Sequence, residues 1–287
     1  TPVILFPLAY HINRSPQRWH FPREMTKLVG ERKRFYGLIG NSSFANVALS
    51  HRIDKDPSLF LSSGMQTLMD LVKLGQIIDA GNHPLFRANT GVDFFSYSIG
   101  ALVTEILLMT NPLGLFSESK AFFFCGGATF DQMDGRSKSI LDNRAFERLN
   151  QFISKASPPE ITTQADPSLI NSFWQAFVSM VSLDNFNARR PNILRQIGEK
   201  IRAIGLKIDK VVPGDAIRKT LSPGNKGDQV LVTDFNFGYS HESPFPLSPS
   251  VDQNEVEKAF KFVFRQASAF LGGSGFDHVK RNRQQYR

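Results

Sequence analysis

The stretch Val92-Asp93-Phe94-Phe95-Ser96-Tyr97-Ser98-Ile99-Gly100-Ala101 passes from an apolar run through small residues into the helical pattern Leu102, Val103, Ile106, Leu107. A strand that ends on a serine and turns at once into a helix needs strained backbone angles and a close approach to its neighbours. Small residues are therefore required two before and two after the serine. Ser96 and Gly100 hold those places. Glycine is the usual occupant of both, so Ser96 is a departure that the turn must accommodate. Taken alone, S-x-S-x-G also fits a serine capping an ordinary helix, and the rest of the chain has to decide between the two.

On both sides of this turn, short apolar runs alternate with segments of helical period, the order expected of a mainly parallel α/β sheet flanked by helices. Strands are predicted at Val3–Phe6, Asn46–His51, Val92–Tyr97, Ala121–Cys125, Ile201–Ile204 and Gln229–Asp234, each almost continuously apolar, as a strand covered on both faces should be. Helices are predicted at 61–80, 99–109, 191–199, 214–221 and 253–271, the last carrying Val256, Phe260, Val263, Phe264, Ala267 and Phe270 on one core-facing stripe. Residues 127–190 break the rhythm with polar stretches, Pro158-Pro159, and two helical pieces near 142–155 and 168–182, the second with an aromatic face of Phe173, Trp174 and Phe177. Irregular structure is expected at 11–24 and at Ser243–Pro249, where three prolines interrupt the chain.

Two further segments bear on Ser98. Ile201-Arg-Ala-Ile-Gly205-Leu-Lys-Ile-Asp209-Lys-Val-Val-Pro213 reads as strand, glycine, acid and a valine-proline entry to a helix, and Gln229-Val-Leu-Val-Thr-Asp234 leads through Phe235 to Ser240 and then His241. In this order of serine, acid and histidine, each just after its own predicted strand, the sequence resembles the α/β-hydrolase superfamily of serine esterases and lipases, over most of Val3 to Phe270. The resemblance implies Ser98 as nucleophile, Asp209 as acid and His241 as base. Serine is a poor nucleophile at neutral pH, so an imidazole must take its proton and a carboxylate must hold the imidazole's tautomer. Asp131, beyond the strand ending at Cys125, is a rival for the acid.

The resemblance also implies an α/β-hydrolase fold with a helical lid insertion, the first strands of the fold being missing or upstream. Residues 1–126 would form the N-terminal part of the core, 127–190 the lid and 191–287 the C-terminal part. One oxyanion donor would be the Ile99 backbone N–H. The second would come from Leu8, Ala9 or Tyr10 after the first predicted strand, where the familiar His-Gly-Gly loop is replaced by Leu8-Ala9-Tyr10-His11. Tyr10 could donate through its hydroxyl or simply pack, and Arg14, Trp19 and His20 are candidates to border the same cleft. With 26 phenylalanines and the aromatic face at 173–177, the expected partner is a small-molecule acyl substrate that is partly apolar. A carboxylic ester is the superfamily's commonest substrate class. A catalytically inactive hydrolase-fold binding protein is the alternative, suggested by Ser96 and the unusual oxyanion loop.

Other chemistries find little support. The net charge of +8 and isoelectric point near 9.6 would suit nucleic acid only if clustered. The basic groups at Arg32–Arg34, Arg189-Arg190 and Lys280–Arg287 carry no such motif. No phosphate-binding glycine loop occurs, no cofactor is expected, and no metal is expected because no His/Cys pair has ligand spacing. Asp54 and Asp56 read as a polar turn before Pro57. Ser117-Glu-Ser-Lys120 matches S-x-x-K without its partner motifs. His11, His51, His83 and His278 have no motif around them. The single Cys125 rules out an internal disulfide, reads as a buried thiol rather than a nucleophile, and points to a reducing, cytoplasmic setting. No apolar run reaches the ~18 residues of a membrane span.

Overall fold

The structure, a computed structural model, describes residues 2–155, 166–184, 189–222 and 229–272. Pro158-Pro159, His278 and the basic tail at Lys280–Arg287 lie outside the described residues. In chain order, helices α1 (Pro22–Tyr36), α2 (Val47–Lys55) and α3 (Ser58–Asp79) precede strand β1 (Phe94–Tyr97) and helix α4 (Ile99–Thr110). Strand β2 (Ala121–Phe124) is followed by α5 (Asn143–Ile153), α6 (Pro167–Ser179) and α7 (Arg189–Ile197), then by β3 (Ile201–Leu206), α8 (Gly214–Leu221), β4 (Val230–Thr233) and α9 (Gln253–Leu271). No helix among the described residues is long and apolar enough to cross a membrane.

The chain divides into two compact units, one of residues 1–90 with 135–177, the other of 91–134 with 178–287. Residues 127–134 and 178–190 of the segment singled out in the sequence thus group with the sheet, and 135–177 with the N-terminal helices.

The second unit is an α/β structure with a four-stranded, wholly parallel sheet in the order β1-β2-β3-β4. Side chains of a strand alternate between faces, and here both faces are covered. Ser96, Phe123, Gly205 and Val232 point towards α4 and α8. Ser96 bonds Thr104 of α4, and a β-carbon on Gly205 would lie 2.9 Å from the Gly214 Cα. Phe122, Phe124, Ile204 and Leu206 point the other way and form a core with Val263, Ala267 and Phe270 of α9. Double coverage explains why these strands carry apolar residues in succession rather than alternately.

Two predicted strands are not strands. Asn46–His51 lies at the start of α2, with Val47, Ser50 and Ile53 buried at helical spacing. Val3–Phe6 has no regular structure, Val3 and Leu5 being 79% and 90% exposed. A four-residue apolar run has no period long enough to separate strand from helix, and a strand exists only where a ladder partner takes up its backbone groups. Helix α1 was not anticipated. Its first residue, Pro22, supplies the fixed φ that suits a helix start, so the irregular region is confined to two short 3-10 turns at Ile12–Arg14 and Gln17–His20.

In the first unit a buried ion network ties α1, α2 and α5 together. Arg32 reaches Asp54 at 3.0 Å and Asp142 at 2.8 Å, with all three side chains almost wholly enclosed. Asp142 also accepts from the Ala145 N–H, capping α5. Asp54, read from sequence as part of a polar turn, is instead an interior ion partner, because it sits on the inward face of α2. Phe173, Trp174 and Phe177 are buried.

Glu105 on α4 is fully enclosed, and neither carboxylate oxygen has a hydrogen-bond partner among the described residues. Burial pushes its pKa well above the usual carboxylate range, against the opposing charge of Arg190. The folded protein therefore holds a proton that the unfolded chain releases near the ordinary value of about 4.3, and stability falls as pH rises from there through the folded-state value. Glu105→Met, measured by thermal denaturation, should raise stability by about 1–3 kcal/mol near neutral pH. The gain should shrink at pH values below the ordinary carboxylate range; an equal gain at all pH would contradict this account.

Candidate active site

The site grows from the carboxyl ends of β1, β3 and β4, which the parallel register brings to one edge of the sheet. Ser98 follows β1 directly and has φ +55° and ψ −127°, a backbone conformation that a side-chain-bearing residue adopts only when its surroundings enforce it. Its N–H donates to the Phe124 carbonyl at 3.1 Å, extending the ladder by one residue, and its carbonyl accepts from the Ala101 N–H at 2.9 Å, opening α4.

The small residues around this turn do unequal work. The Ser96 hydroxyl is satisfied at 2.7 Å by Thr104, which in turn donates to the Gly100 carbonyl. This is how a serine takes the place where glycine is usual. A β-carbon added to Gly100 would come no closer than 4.0 Å to Ser96. The tight glycine is Gly126, where an added β-carbon would stand 2.5 Å from the Ala101 β-carbon and 2.7 Å from the Ser98 carbonyl oxygen. Sequence reasoning missed it, although Gly126-Gly127 directly after a buried strand was the available signal.

Asp209 lies just after β3. One of its carboxylate oxygens, Oδ1, accepts from the backbone N–H groups of Val211 and Val212 at 2.8 and 2.9 Å. The other, Oδ2, faces the His241 Nδ1 at 2.7 Å. His241 follows β4, and its Nε2 stands 2.6 Å from the Ser98 Oγ. Asp209 and His241 are buried, whereas Ser98 is half-buried. A carboxylate only accepts, so the imidazole proton belongs on Nδ1 and Nε2 is left to accept from the serine hydroxyl.

Tyr97, also missed from sequence, reaches across this arrangement. Its hydroxyl donates to the His241 carbonyl, and its ring stacks on the imidazole at 5.5 Å and 17°. Tyr239 braces the loop that carries His241, donating to Asp234 and accepting from the Ile208 N–H beside Asp209. Asp131 is engaged elsewhere, by Thr129, Ser182 and the Leu183 N–H.

The Ile99 N–H, the first of α4, has no partner among the described residues. Leu8, Ala9 and Tyr10 belong to the other compact unit. There the Ala9 N–H already donates to Thr67 at 3.0 Å. Tyr10 has φ +65°, and its ring lies 3.7 Å from the Arg52 guanidinium carbon and 6.3 Å from the Trp19 ring. Arg14 pairs with Asp70 and His20 with Ser15. Cys125, at the end of β2 with φ +51°, is enclosed against the same cluster. Burial first, and then the charge of Asp209, push its thiol pKa far up, so it stays protonated.

Fold and site together define an α/β protein with a hydrogen-bonded Ser98–His241–Asp209 series at the carboxyl edge of a parallel sheet. Residues 1–272 match the family described as "Family of unknown function (DUF6051)", and the chain belongs to it. No curated protein matches the chain. Among solved structures, a puromycin-hydrolyzing peptidase of Mycobacterium tuberculosis is similar at 15% identity and a TM-score of 0.36, over 73% of this chain and 25% of that one.

The contrast between the two glycines is testable. Gly100→Ala should be tolerated, gaining up to about 1 kcal/mol as an alanine replaces a helical glycine. Gly126→Ala should cost about 1–3 kcal/mol from overpacking against fixed backbone. Chemical denaturation of the two variants beside the parent decides it.

Proposed function

We propose that the chain is a serine hydrolase of the α/β-hydrolase type that cleaves a carboxylic ester, or a related acyl bond, through an acyl-enzyme on Ser98. The observation that carries this reading is the pair of short hydrogen bonds, 2.6 Å from Ser98 Oγ to His241 Nε2 and 2.7 Å from His241 Nδ1 to Asp209 Oδ2. In the proposed reaction Ser98 Oγ attacks the acyl carbon while Nε2 takes its proton. Asp209, held by two backbone N–H groups, stabilises the imidazolium that results. Nε2 then gives the proton to the departing alcohol oxygen, and a water activated by the same nitrogen releases the acid from Ser98.

The oxyanion of each tetrahedral intermediate would take the free Ile99 N–H. The helical insertion between β2 and β3, assigned from sequence to 127–190, serves in this reading as the lid, and the substrate is a small, partly apolar acyl compound. A catalytically inactive hydrolase-fold protein that binds a ligand is the second reading, and Ser96 in the place where glycine is usual is what favours it.

Covalent labelling with a fluorophosphonate separates them. The hydrolase reading expects one label, on Ser98, none in Ser98→Ala, and a fall of roughly 10⁴-fold in turnover of a responsive ester for Asp209→Asn. A folded parent chain that fails to take the label at Ser98 would favour the binding protein.

A further inference from the structure

The sequence holds a single cysteine, and the fold delivers it to a place where a histidine and an aspartate already meet. A ligand atom from each of Cys125, Asp209 and His241, namely the Sγ, a carboxylate oxygen and a ring nitrogen, lies within 4.8 Å of the other two. All three residues are buried. An ordinary core thiol has apolar neighbours on every side. Cys125 has Phe122, Phe124 and Ile204 on one side and the charged carboxylate of Asp209 on the other.

We propose that Cys125, Asp209 and His241 form a binding site for a thiophilic divalent cation such as Zn²⁺ or Cd²⁺, and that occupancy switches off the nucleophile. The second half rests on the hydrolase reading, whereas the binding itself does not. Thiolate, imidazole and carboxylate are the donors such an ion prefers. With metal–sulfur bonds of about 2.3 Å and metal–nitrogen or metal–oxygen bonds of about 2.0–2.2 Å, tetrahedral ligands stand roughly 3.3–3.6 Å apart. The Nδ1 to Oδ2 separation of 2.7 Å would thus open by roughly 0.6–0.9 Å. Asp209 keeps its anchor during that movement, because Oδ1 alone holds the Val211 and Val212 N–H groups.

The proton balance explains the inhibition. Before binding, protons sit on Sγ, on Nδ1 and on the serine oxygen. When the ion enters, Sγ and Nδ1 both exchange a proton for the metal. One of the two protons leaves to solvent and the other is taken up on Nε2. No electron is transferred. The imidazole is then fixed in the opposite tautomer, with its Nε2 donating to Ser98 where it had accepted, so it cannot take the hydroxyl proton.

The test uses the full chain and Cd²⁺. Because Cys125 is the only thiol, an ultraviolet thiolate-to-cadmium charge-transfer band can report no other residue. The parent should bind one Cd²⁺ per chain by calorimetry, with that band. Cys125→Ser should lose the band, and Cys125→Ser and His241→Gln should each bind more weakly by over about tenfold. Fluorophosphonate labelling of Ser98 should slow on adding Cd²⁺ in the parent, and should be much less affected in Cys125→Ser, each compared with its own cation-free rate. Circular dichroism checks the fold of each variant, and Cys125→Ala replaces any that fails. A parent without the band, or equal binding by folded Cys125 variants, overturns the site. A band with undiminished labelling overturns the switch. Absence of labelling without cation would sink the hydrolase reading, while the band still decides the site.

Discussion

The parallel register of four short strands is the constraint on which the site depends. Tyr97 pairs with Phe124, Phe124 with Ile204, and Leu206 with Thr233, so all four strands end along one edge. Ser98, Cys125, Asp209 and His241 each leave the sheet at that edge, although 143 residues separate the serine from the histidine. Because both faces are packed, on α4 and α8 to one side and on α9 to the other, a slip of one residue would turn a whole strand's side chains into the wrong layer.

The same packing maintains the conformation of Ser98. A positive φ at a residue with a side chain costs of order 1–3 kcal/mol, and it persists because both of its backbone groups are bonded and Gly126 leaves no slack beside it. Exposing one hydroxyl at the head of α4 therefore draws on contacts from β2 and its following turn. The interior also holds charged groups outside the site. Arg32 with Asp54 and Asp142 forms a charge-paired network in the first unit, whereas Glu105 is enclosed with no hydrogen-bond partner for its carboxylate among the described residues.

The strands around the site were legible because each lies in a sheet packed on both faces, β2 almost wholly buried, and so reads as a continuous apolar run between turn residues. Helices α4, α8 and α9 were legible from their long apolar stripes. Val3–Phe6 and Asn46–His51 were misjudged because runs of four to six residues carry too little period. The contribution of Gly126 had only the Gly126-Gly127 pair after a buried strand as its signal, and that of Tyr97 had no local signature, being a contact across 144 residues.

What the sequence determined by itself is the alternation of apolar and helical segments and the order serine, aspartate, histidine, each after a strand, since periodicity and turn chemistry act over neighbouring residues. Only the tertiary structure decided that Asp209 rather than Asp131 faces the imidazole, that Thr104 satisfies Ser96, and that Cys125 lies against the same carboxylate. Those outcomes depend on which strand ends stand side by side, and that is set by sheet register and by the helices covering both faces, across distances that no local pattern records.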